Sequence, residues 1–197
     1  MFRRQTRFAF LSFCIAAALA ICLVCLPKLT EAQGAALDLS GKSVDPFQTA
    51  RGKVVVLIFV RTDCPVSNRY APTIQNLSVK YADKAAFWLV YPSKSETAEV
   101  IRKHDHDFRY ELPALRDPQR VLVRLSNAQV TPEAAVFDTS RHLAYHGGID
   151  NLYEDFGHAR KEATTHELDD AIRAAIEKRA PPATHRAAVG CYIADLE

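Results

Sequence analysis

The stretch that decides the fold reads VVVLIFVRTDCP and spans residues 54–65. Its first part, Val54–Val60, is a continuous run of β-branched and aromatic residues, and such a run predicts a strand buried on both faces. Cys64 follows the strand and precedes Pro65, a residue that favours the first turn of a helix. Cys64 is therefore expected at a strand-to-helix turn.

The remaining predicted elements alternate between strands and helices. Short apolar runs predict strands, and apolar residues three and four apart predict helices. In chain order the elements are helix Pro65–Ala82 with a kink at Pro72, strand Phe87–Tyr91, helix Ser93–His106, short strand Pro113–Leu115, short helix Pro118–Leu125, the strand pair Ala134–Asp138 and His142–Tyr145, and helix His166–Arg179. This order predicts an α/β domain in which helices flank a central mixed β-sheet.

Cys64 is a candidate nucleophile because of its place in this pattern. At a strand-to-helix turn, free backbone N–H groups and the helix dipole favour a thiolate. An unperturbed thiol, with a pKa of about 8.5, is only partly ionised at neutral pH and needs that help. The alternative is a buried and inert cysteine.

The charge distribution argues against one class of partner. The 197 residues carry a formal charge of +2, although residues 1–32 alone hold +3. Residues 33–197 therefore hold 21 basic and 22 acidic side chains, a net charge of −1. Residues 33–197 lack the excess of basic side chains that binding to nucleic acid requires, and we expect no nucleic-acid partner.

The first 32 residues have the order of an export signal. Three arginines precede the uncharged, mostly apolar run Phe8–Leu26, and Ala32 ends a small-residue pattern suited to cleavage. With 19 residues the run is also just long enough to span a bilayer, so an uncleaved membrane anchor is the alternative. In both cases the body is expected on the outer side, in the periplasm or another extracytoplasmic compartment.

Only two of the five cysteines lie outside this segment. Three lie in the apolar run, where cysteine behaves as a small hydrophobe: Cys14, Cys22 and Cys25. Cys64 and Cys191 remain, and in an oxidising compartment they allow one intramolecular pairing. Cys191 lies in a predicted C-terminal tail, residues 181–197, which begins with two prolines.

Two proline landmarks resemble those of the thioredoxin superfamily. Cys64 and Pro72 are eight residues apart, as are the nucleophilic cysteine and the helix proline of thioredoxins. Thr131-Pro132, directly before a predicted strand, is similar to the cis-proline that faces this cysteine and to the residue before it. The resemblance implies a thioredoxin-like domain over residues 38–180, with a substrate groove shaped by Thr131 and Pro132.

The length of chain between Cys64 and Pro132 is similar to that of one branch of this superfamily, the redoxins. It leaves room for an extra β-α insertion that minimal thioredoxins lack. The redoxin branch holds alkyl hydroperoxide reductase/thiol-specific antioxidant proteins and exported thiol–disulfide oxidoreductases. The resemblance therefore implies redox chemistry at Cys64.

The chain departs from these families around its cysteine. Ser67 stands where a second cysteine would complete C-x-x-C, and Asp63 stands where a tryptophan usually precedes the first. The peroxiredoxin signature P-x-x-x-T-x-x-C also fails, since Arg61 occupies its threonine position. Arg61 offers a cation for a thiolate at Cys64, and Pro65 and Ser67 are the other candidate supporting residues.

We expect an exported redoxin that exchanges thiols and disulfides, with Cys64 as nucleophile and Cys191 as resolving thiol. Its partners would be protein thiols or disulfides and an external thiol electron donor. Two alternatives stay open: reduction of small peroxides by the same Cys64, and a redox-inert binding module in which a Cys64–Cys191 disulfide is structural. No cofactor and no metal site are expected, and residues 8–26 are the candidate membrane tether.

Overall fold

The computed structural model describes residues 36–180 and 186–193, which form eleven strands and five helices. The strands are β1 (Ala36–Leu37), β2 (Ser43–Val44), β3 (Val54–Phe59), β4 (Ala85–Tyr91), β5 (Ala114–Arg116), β6 (Val130–Thr131), β7 (Glu133–Phe137), β8 (Leu143–Gly147), β9 (Tyr153–Asp155), β10 (His158–Ala159) and β11 (Cys191–Tyr192). The helices are α1 (Pro46–Thr49), α2 (Pro65–Lys80), α3 (Ala98–Asp107), α4 (Val121–Ser126) and α5 (Glu167–Ile176).

Seven strands form a central mixed sheet in the order β2-β1-β5-β4-β3-β7-β8. β3, β4 and β5 run parallel to one another, whereas β7 pairs antiparallel with both β3 and β8. β3 is thus a central strand with partners on both sides, as its uninterrupted apolar sequence predicts. The expected α/β fold with a mixed sheet is confirmed.

The two faces of β3 look into two separate apolar cores. Alternate side chains, beginning with Val54, join a core built with α2 and α5, which includes Ile74 and Ile172. The side chains between them, beginning with Val55, join a core on the opposite face, which includes Leu122 of α4. The sheet is therefore covered by helices on both faces.

The helix after Cys64 begins where the sequence predicts. Cys64 is the N-cap residue of α2, Pro65 is its first residue, and Pro72 lies inside it. Proline is tolerated at the first helical position because its missing N–H would have no partner within the helix. The turn that holds Cys64 is thereby fixed between the end of β3 and the start of α2.

The predicted start of α3 at Ser93 is wrong. The helix begins at Ala98, because Thr97 acts as its N-cap and accepts a hydrogen bond from a backbone N–H of the first turn. Ser93 and Ser95 instead hydrogen-bond to each other in a local turn. Serine side chains commonly compete with helix formation in this way.

The predicted start of α4 at Pro118 is also too early, since the helix begins at Val121. Its capping group is the buried carboxylate of Asp117, which accepts hydrogen bonds from the backbone N–H groups of Val121, Leu122 and Val123. One side chain thus satisfies three donors at the start of a short helix.

Two short pairings outside the central sheet are not predicted from the sequence. β9 and β10 form a separate antiparallel hairpin after β8, and β11 pairs antiparallel with β6. Strands of two or three residues carry too little periodicity for a sequence pattern to detect. The second pairing brings the C-terminal tail onto the domain.

Within residues 36–180 and 186–193, no helix is long and apolar enough to cross a membrane. The predicted leader or anchor, with its run at residues 8–26, lies outside the described residues.

Candidate active site

Cys64 lies completely inside the protein, with 0% of its surface exposed. Its backbone is extended, with φ −86° and ψ 112°, and its N–H and C=O groups bond to Arg61 and Asn68 on either side. The buried strand β3 and the helix α2 therefore fix the position of the thiol from both directions.

Thr131 faces this thiol from the other side of the site, and Pro132 follows it in the chain. The peptide bond between them is cis, as the resemblance implies. The carbonyl oxygen of Thr131, itself fully buried, lies 3.1 Å from the Cys64 Sγ and accepts its hydrogen bond. The residue before the cis-proline thus contacts the candidate nucleophile through its backbone.

The C-terminal tail carries Cys191 to the same place. In the β6–β11 pairing, Cys191 is directly opposite Thr131. Its Sγ is 2.8 Å from the Cys64 Sγ, across 127 positions of sequence. Both residues are free thiols, and a disulfide, with an S–S length of about 2.05 Å, would need a movement of less than about 1 Å. The pairing left open by the sequence is thus geometrically within reach.

The surroundings of Cys64 favour its thiolate. Burial raises the pKa of the Cys64 thiol, but hydrogen bonds from the Cys191 thiol and from the backbone and hydroxyl of Ser67 lower it, and the net pKa is below its ordinary value. The Ser67 hydroxyl is itself buried and makes no hydrogen bond with any described residue while Cys64 is a thiol. It is therefore available to a thiolate.

The surroundings of Cys191 act in the opposite direction. Burial, together with the hydrogen bond to Cys64 and the negative charge of Cys64, raises the pKa of Cys191 to about 12, and the Arg61 guanidinium opposes this shift. The two thiols therefore differ in role: Cys64 is the sulfur that ionises first, and Cys191 is the sulfur that donates a hydrogen bond to it.

Solvent reaches the pair from the side of Cys191. Cys191 is partly exposed and lines a groove of about 500 Å³ together with Arg61, Phe156 and Tyr192. The side chains of Phe156 and Tyr192 are 55% and 62% exposed. Cys64 lies behind the tail and has no contact with solvent.

The loop before Cys64 is held by polar side chains that are buried or half-buried. The Thr62 N–H donates to the Glu96 carboxylate at 2.7 Å, and the Thr62 carbonyl accepts from the Asn68 amide at 3.2 Å. Asn68 in turn accepts from the His104 Nε2, and the His104 Nδ1 bonds to the Tyr91 hydroxyl. Burial raises the pKa of Glu96 and lowers that of His104 to about 4.

The structure brings most of the predicted site residues together. Cys64, Cys191, Thr131 and Ser67 meet around the two sulfurs, and Pro132 follows directly in the chain. Pro65 serves as the first residue of α2 rather than as a contact. Arg61 forms a two-point ion pair with Asp63 and acts on the sulfurs only through its charge.

Sequence reasoning missed the residues that support the site from a distance. Glu96, Asn68 and His104 lie in predicted helices, but nothing in the sequence indicates that they converge on Thr62. The sequence carries no signal for these three residues, but it does carry one for the approach of the tail, because Gly190 directly precedes Cys191. Glycine often marks a close backbone approach, and Gly190 contacts the Thr131 backbone.

Among the described residues, no three histidine, cysteine or acidic side chains come together in a group that could hold a metal ion.

The family model described as thioredoxin-like matches residues 52–143 of the chain. This range contains β3, Cys64, α2 and the Thr131–Pro132 bond. It excludes the tail strand with Cys191. No curated protein matches the chain in sequence.

Solved structures share the fold at low sequence identity. A hypothetical protein from Sinorhizobium meliloti is 21% identical, with a TM-score of 0.71 over 80% of this chain and 88% of its own. An uncharacterized conserved protein from Geobacillus kaustophilus is 19% identical, with a TM-score of 0.68 over 81% and 86%.

A third similar structure is the secreted Mycobacterium tuberculosis disulfide oxidoreductase homologous to Escherichia coli DsbE. It is 16% identical, with a TM-score of 0.50 over 74% of this chain and 96% of its own. At such identities the likeness concerns the fold, and the activity has to be argued from the site itself.

Proposed function

We propose that this chain, whose residues 52–143 match the thioredoxin-like family model, is a thiol–disulfide oxidoreductase of the redoxin branch and works through Cys64 and Cys191. The observation that carries the proposal is the 2.8 Å separation of the two sulfurs, one favouring a thiolate and the other a thiol. A pair of this kind can pass two electrons to a disulfide.

In the first step, the Cys64 thiolate attacks one sulfur of a substrate disulfide. A bond forms between the Cys64 Sγ and that sulfur while the substrate S–S bond breaks. The second substrate sulfur leaves as a thiolate and takes a proton from solvent. Ser67 supports this step, because its N–H and hydroxyl lower the pKa of Cys64.

In the second step, Cys191 resolves the mixed disulfide. Once Cys64 is bonded, it no longer carries the negative charge that raises the pKa of Cys191, and the Arg61 guanidinium then favours the Cys191 thiolate. Cys191 loses its proton and attacks the Cys64 Sγ, which releases the remaining substrate sulfur. A Cys64–Cys191 disulfide is left, and an external thiol donor supplies two electrons to reduce it.

We also propose that the chain works outside the cytoplasm, where such exchange has substrates. The order of residues 1–32 supports this location, and one similar structure is of a secreted protein. The mass of the protein recovered from expressing cells tests it: loss of the first 32 residues, or an intact chain in the membrane fraction, is expected. An intact chain in the cytosol would contradict it.

A redox titration tests the activity. The full chain is equilibrated in glutathione buffers, free thiols are alkylated, and peptide mass spectrometry follows each cysteine separately. We expect a Cys64–Cys191 disulfide with a midpoint between about −120 and −230 mV, the range of exchange catalysts.

Two other outcomes would reject the proposal. A disulfide that resists reduction below about −300 mV is a structural bond and favours the binding-module alternative. Two thiols that stay free throughout the titration would remove Cys191 from the reaction. The variant Cys191→Ser is the matched control, because Cys64 should then be found only as a thiol or as a mixed disulfide with glutathione.

A further inference from the structure

The tail strand is held against the edge of β6 in the manner of an added peptide strand. Cys191 pairs with Thr131 and Tyr192 with Val130 in antiparallel register. The pairing continues as the N–H of Ile193 donates to the Gln129 carbonyl at 2.8 Å. Main-chain bonds of this type bind extended segments of many sequences, and side-chain pockets then select among them.

Position 190, directly before the cysteine, admits only glycine. A Cβ atom there would lie 2.0 Å from the Thr131 carbonyl oxygen and 2.6 Å from its carbon. Both are backbone atoms beside the cis bond, and they cannot turn away as a side chain could. A strand that binds here in this register must therefore have glycine before its cysteine.

Position 193, two residues after the cysteine, is an apolar anchor. Ile193 is 2% exposed and belongs to the core that β3 shares with α4. Tyr192, between Cys191 and Ile193, is 62% exposed, so the groove does not restrict the residue at this position. The site thus selects at two positions, glycine before the cysteine and an aliphatic residue two places after it.

This strand blocks access to the nucleophile. With the tail in place Cys64 is 0% exposed, so a substrate reaches its sulfur only after the tail has moved away. Departure of the tail uncovers the backbone edge of Val130 and Thr131, the apolar site of Ile193 and the Cys64 sulfur together.

We infer that Gly190–Ile193 is an internal mimic of the substrate, and that the substrates are extended polypeptide segments in which glycine precedes a disulfide-bonded cysteine and an aliphatic residue follows two places later. The inference rests on the proposed thiol–disulfide exchange. In the mixed disulfide, the substrate segment occupies the groove of the tail. The returning tail then displaces the segment from β6 while the mixed disulfide still holds it, and Cys191 attacks the Cys64 Sγ from the vacated position. The substrate sulfur leaves as a thiol, so resolution releases the reduced segment.

The test uses the full chain carrying Cys191→Ser, which stops the reaction at the mixed disulfide. The probe is the peptide Ala-Val-Gly-Cys-Tyr-Ile with its cysteine activated as a 2-thiopyridyl disulfide. The Cys64 thiolate attacks the peptide sulfur, the S–S bond to pyridine breaks, and 2-thiopyridone leaves with the electron pair. Mass spectrometry follows the growth of the Cys64–peptide adduct.

Two control peptides differ at one position each, with alanine in place of glycine and serine in place of isoleucine. We expect each to react about tenfold more slowly than the parent, since each loses one of the two selecting contacts. Replacement of the exposed tyrosine by threonine should leave the rate within about twofold. Equal rates for all four peptides would overturn the inference.

A second variant separates blocking by the tail from selection by the groove. In Gly190→Ala/Cys191→Ser the tail cannot dock. Every peptide should therefore react faster than with Cys191→Ser alone, and the peptides should keep the same ranking. The control Val189→Ala/Cys191→Ser should react at the same rates as Cys191→Ser alone. If Gly190→Ala does not fold, Ile193→Ser replaces it. Unchanged rates in whichever docking variant folds would also overturn the inference.

The small reagent 2,2′-dipyridyl disulfide distinguishes a failure of the exchange activity from a failure of the substrate pattern. If Cys64 does not react with it even in the docking variants, the proposed exchange activity itself fails. If Cys64 reacts with it but the four peptides do not differ, exchange stands and the substrate pattern is wrong.

Discussion

The backbone N–H of Thr62 donates a 2.7 Å hydrogen bond to the Oε1 of Glu96, a residue 34 positions further along the chain. The second carboxylate oxygen, Oε2, is buried and has no hydrogen-bond partner among the described residues. The oxygen acceptor therefore matters here, whereas the attraction of the Arg61 guanidinium for the Glu96 charge is outweighed by the effect of burial, which raises the pKa of Glu96. The contact fixes the loop two residues before Cys64.

Substitution of Glu96 separates these two contributions. Glu96→Gln keeps an oxygen acceptor and removes the buried charge, so we expect a free energy of unfolding within about 1 kcal/mol of the parent. Glu96→Ala leaves the Thr62 N–H without its partner and should cost about 1–3 kcal/mol. Urea unfolding under reducing conditions measures both. The exposed Glu99→Ala is the control, and equal losses in the two alanine variants would contradict the prediction.

Removal of the Ser67 hydroxyl should raise the pKa of Cys64. In Ser67→Ala the thiolate loses one of the hydrogen bonds that lower this pKa, so a smaller fraction is ionised at neutral pH. The rate of alkylation of Cys64 by iodoacetamide, followed against pH, should show a midpoint moved upward. Ser126→Ala removes another buried serine hydroxyl without a described partner and serves as the control. A midpoint that does not move would exclude Ser67 from thiolate stabilisation.

Oxidation should stabilise the fold. A Cys64–Cys191 bond closes a loop of 127 residues, which the loop-entropy model values at about 5 kcal/mol. The oxidised protein should therefore unfold at a higher urea concentration than the reduced protein. Cys191→Ser should unfold at the same concentration with or without reductant. Identical midpoints for the parent in both states would show that the bond does not form.

Ile193 should control the exposure of Cys64. Truncation of a buried isoleucine costs about 2–5 kcal/mol when the surrounding core stays closed. Here the tail can also detach, because Ile193 is its buried anchor. In Ile193→Ala the tail should detach more often, and Cys64 should therefore be alkylated faster under native conditions. Tyr192→Ala, at the exposed neighbouring position, is the control. Protection of Cys64 equal to that of the parent would refute this role.

Acid should destabilise the protein through His104. Burial lowers the pKa of this imidazole from 6.5 to about 4, so between these values the unfolded chain takes up a proton that the folded protein does not. The stability that comes from keeping this imidazole neutral is complete above about pH 6.5 and declines by about 3 kcal/mol as the pH falls to about 4.

The variant His104→Gln tests this assignment, because glutamine does not titrate and can still donate to Asn68. Its free energy of unfolding, measured at several pH values, should fall less steeply than that of the parent over the same range. Four titratable groups surround the ring or act on it and are unchanged in both proteins: Tyr91, Asp105, Asp107 and Tyr110. Parallel pH profiles would assign the effect to these groups instead.

The parts of the fold that follow from local patterns could be predicted from the sequence. The run Val54–Val60 specifies a central strand because every residue in it is apolar, and Pro65 marks the start of α2. Thr131-Pro132 could be placed opposite Cys64 only through the family resemblance. The start of α3 was misplaced because side-chain hydrogen bonds in the preceding turn compete with the helix.

The contacts that complete the site depend on tertiary structure. Cys191 is 127 positions from Cys64, and its strand is two residues long. A strand this short gives no periodic pattern from which the sequence could predict it. Glu96 and His104 lie in a segment with a helical pattern, and only the folded chain turns both toward the loop at Thr62. Such convergence is set by the packing of the elements and not by residue spacing along the chain.

The close approach of the two sulfurs also bears on irreversible damage. A cysteine oxidised to sulfenic acid is lost to the cell if a second oxidant converts it to sulfinic acid first. A sulfenic acid on Cys64 would have the Cys191 thiol beside it, at an effective concentration far above that of any free thiol. Condensation with Cys191 would release water and leave a reducible bond. The same short strand that hides the nucleophile therefore keeps its oxidation repairable.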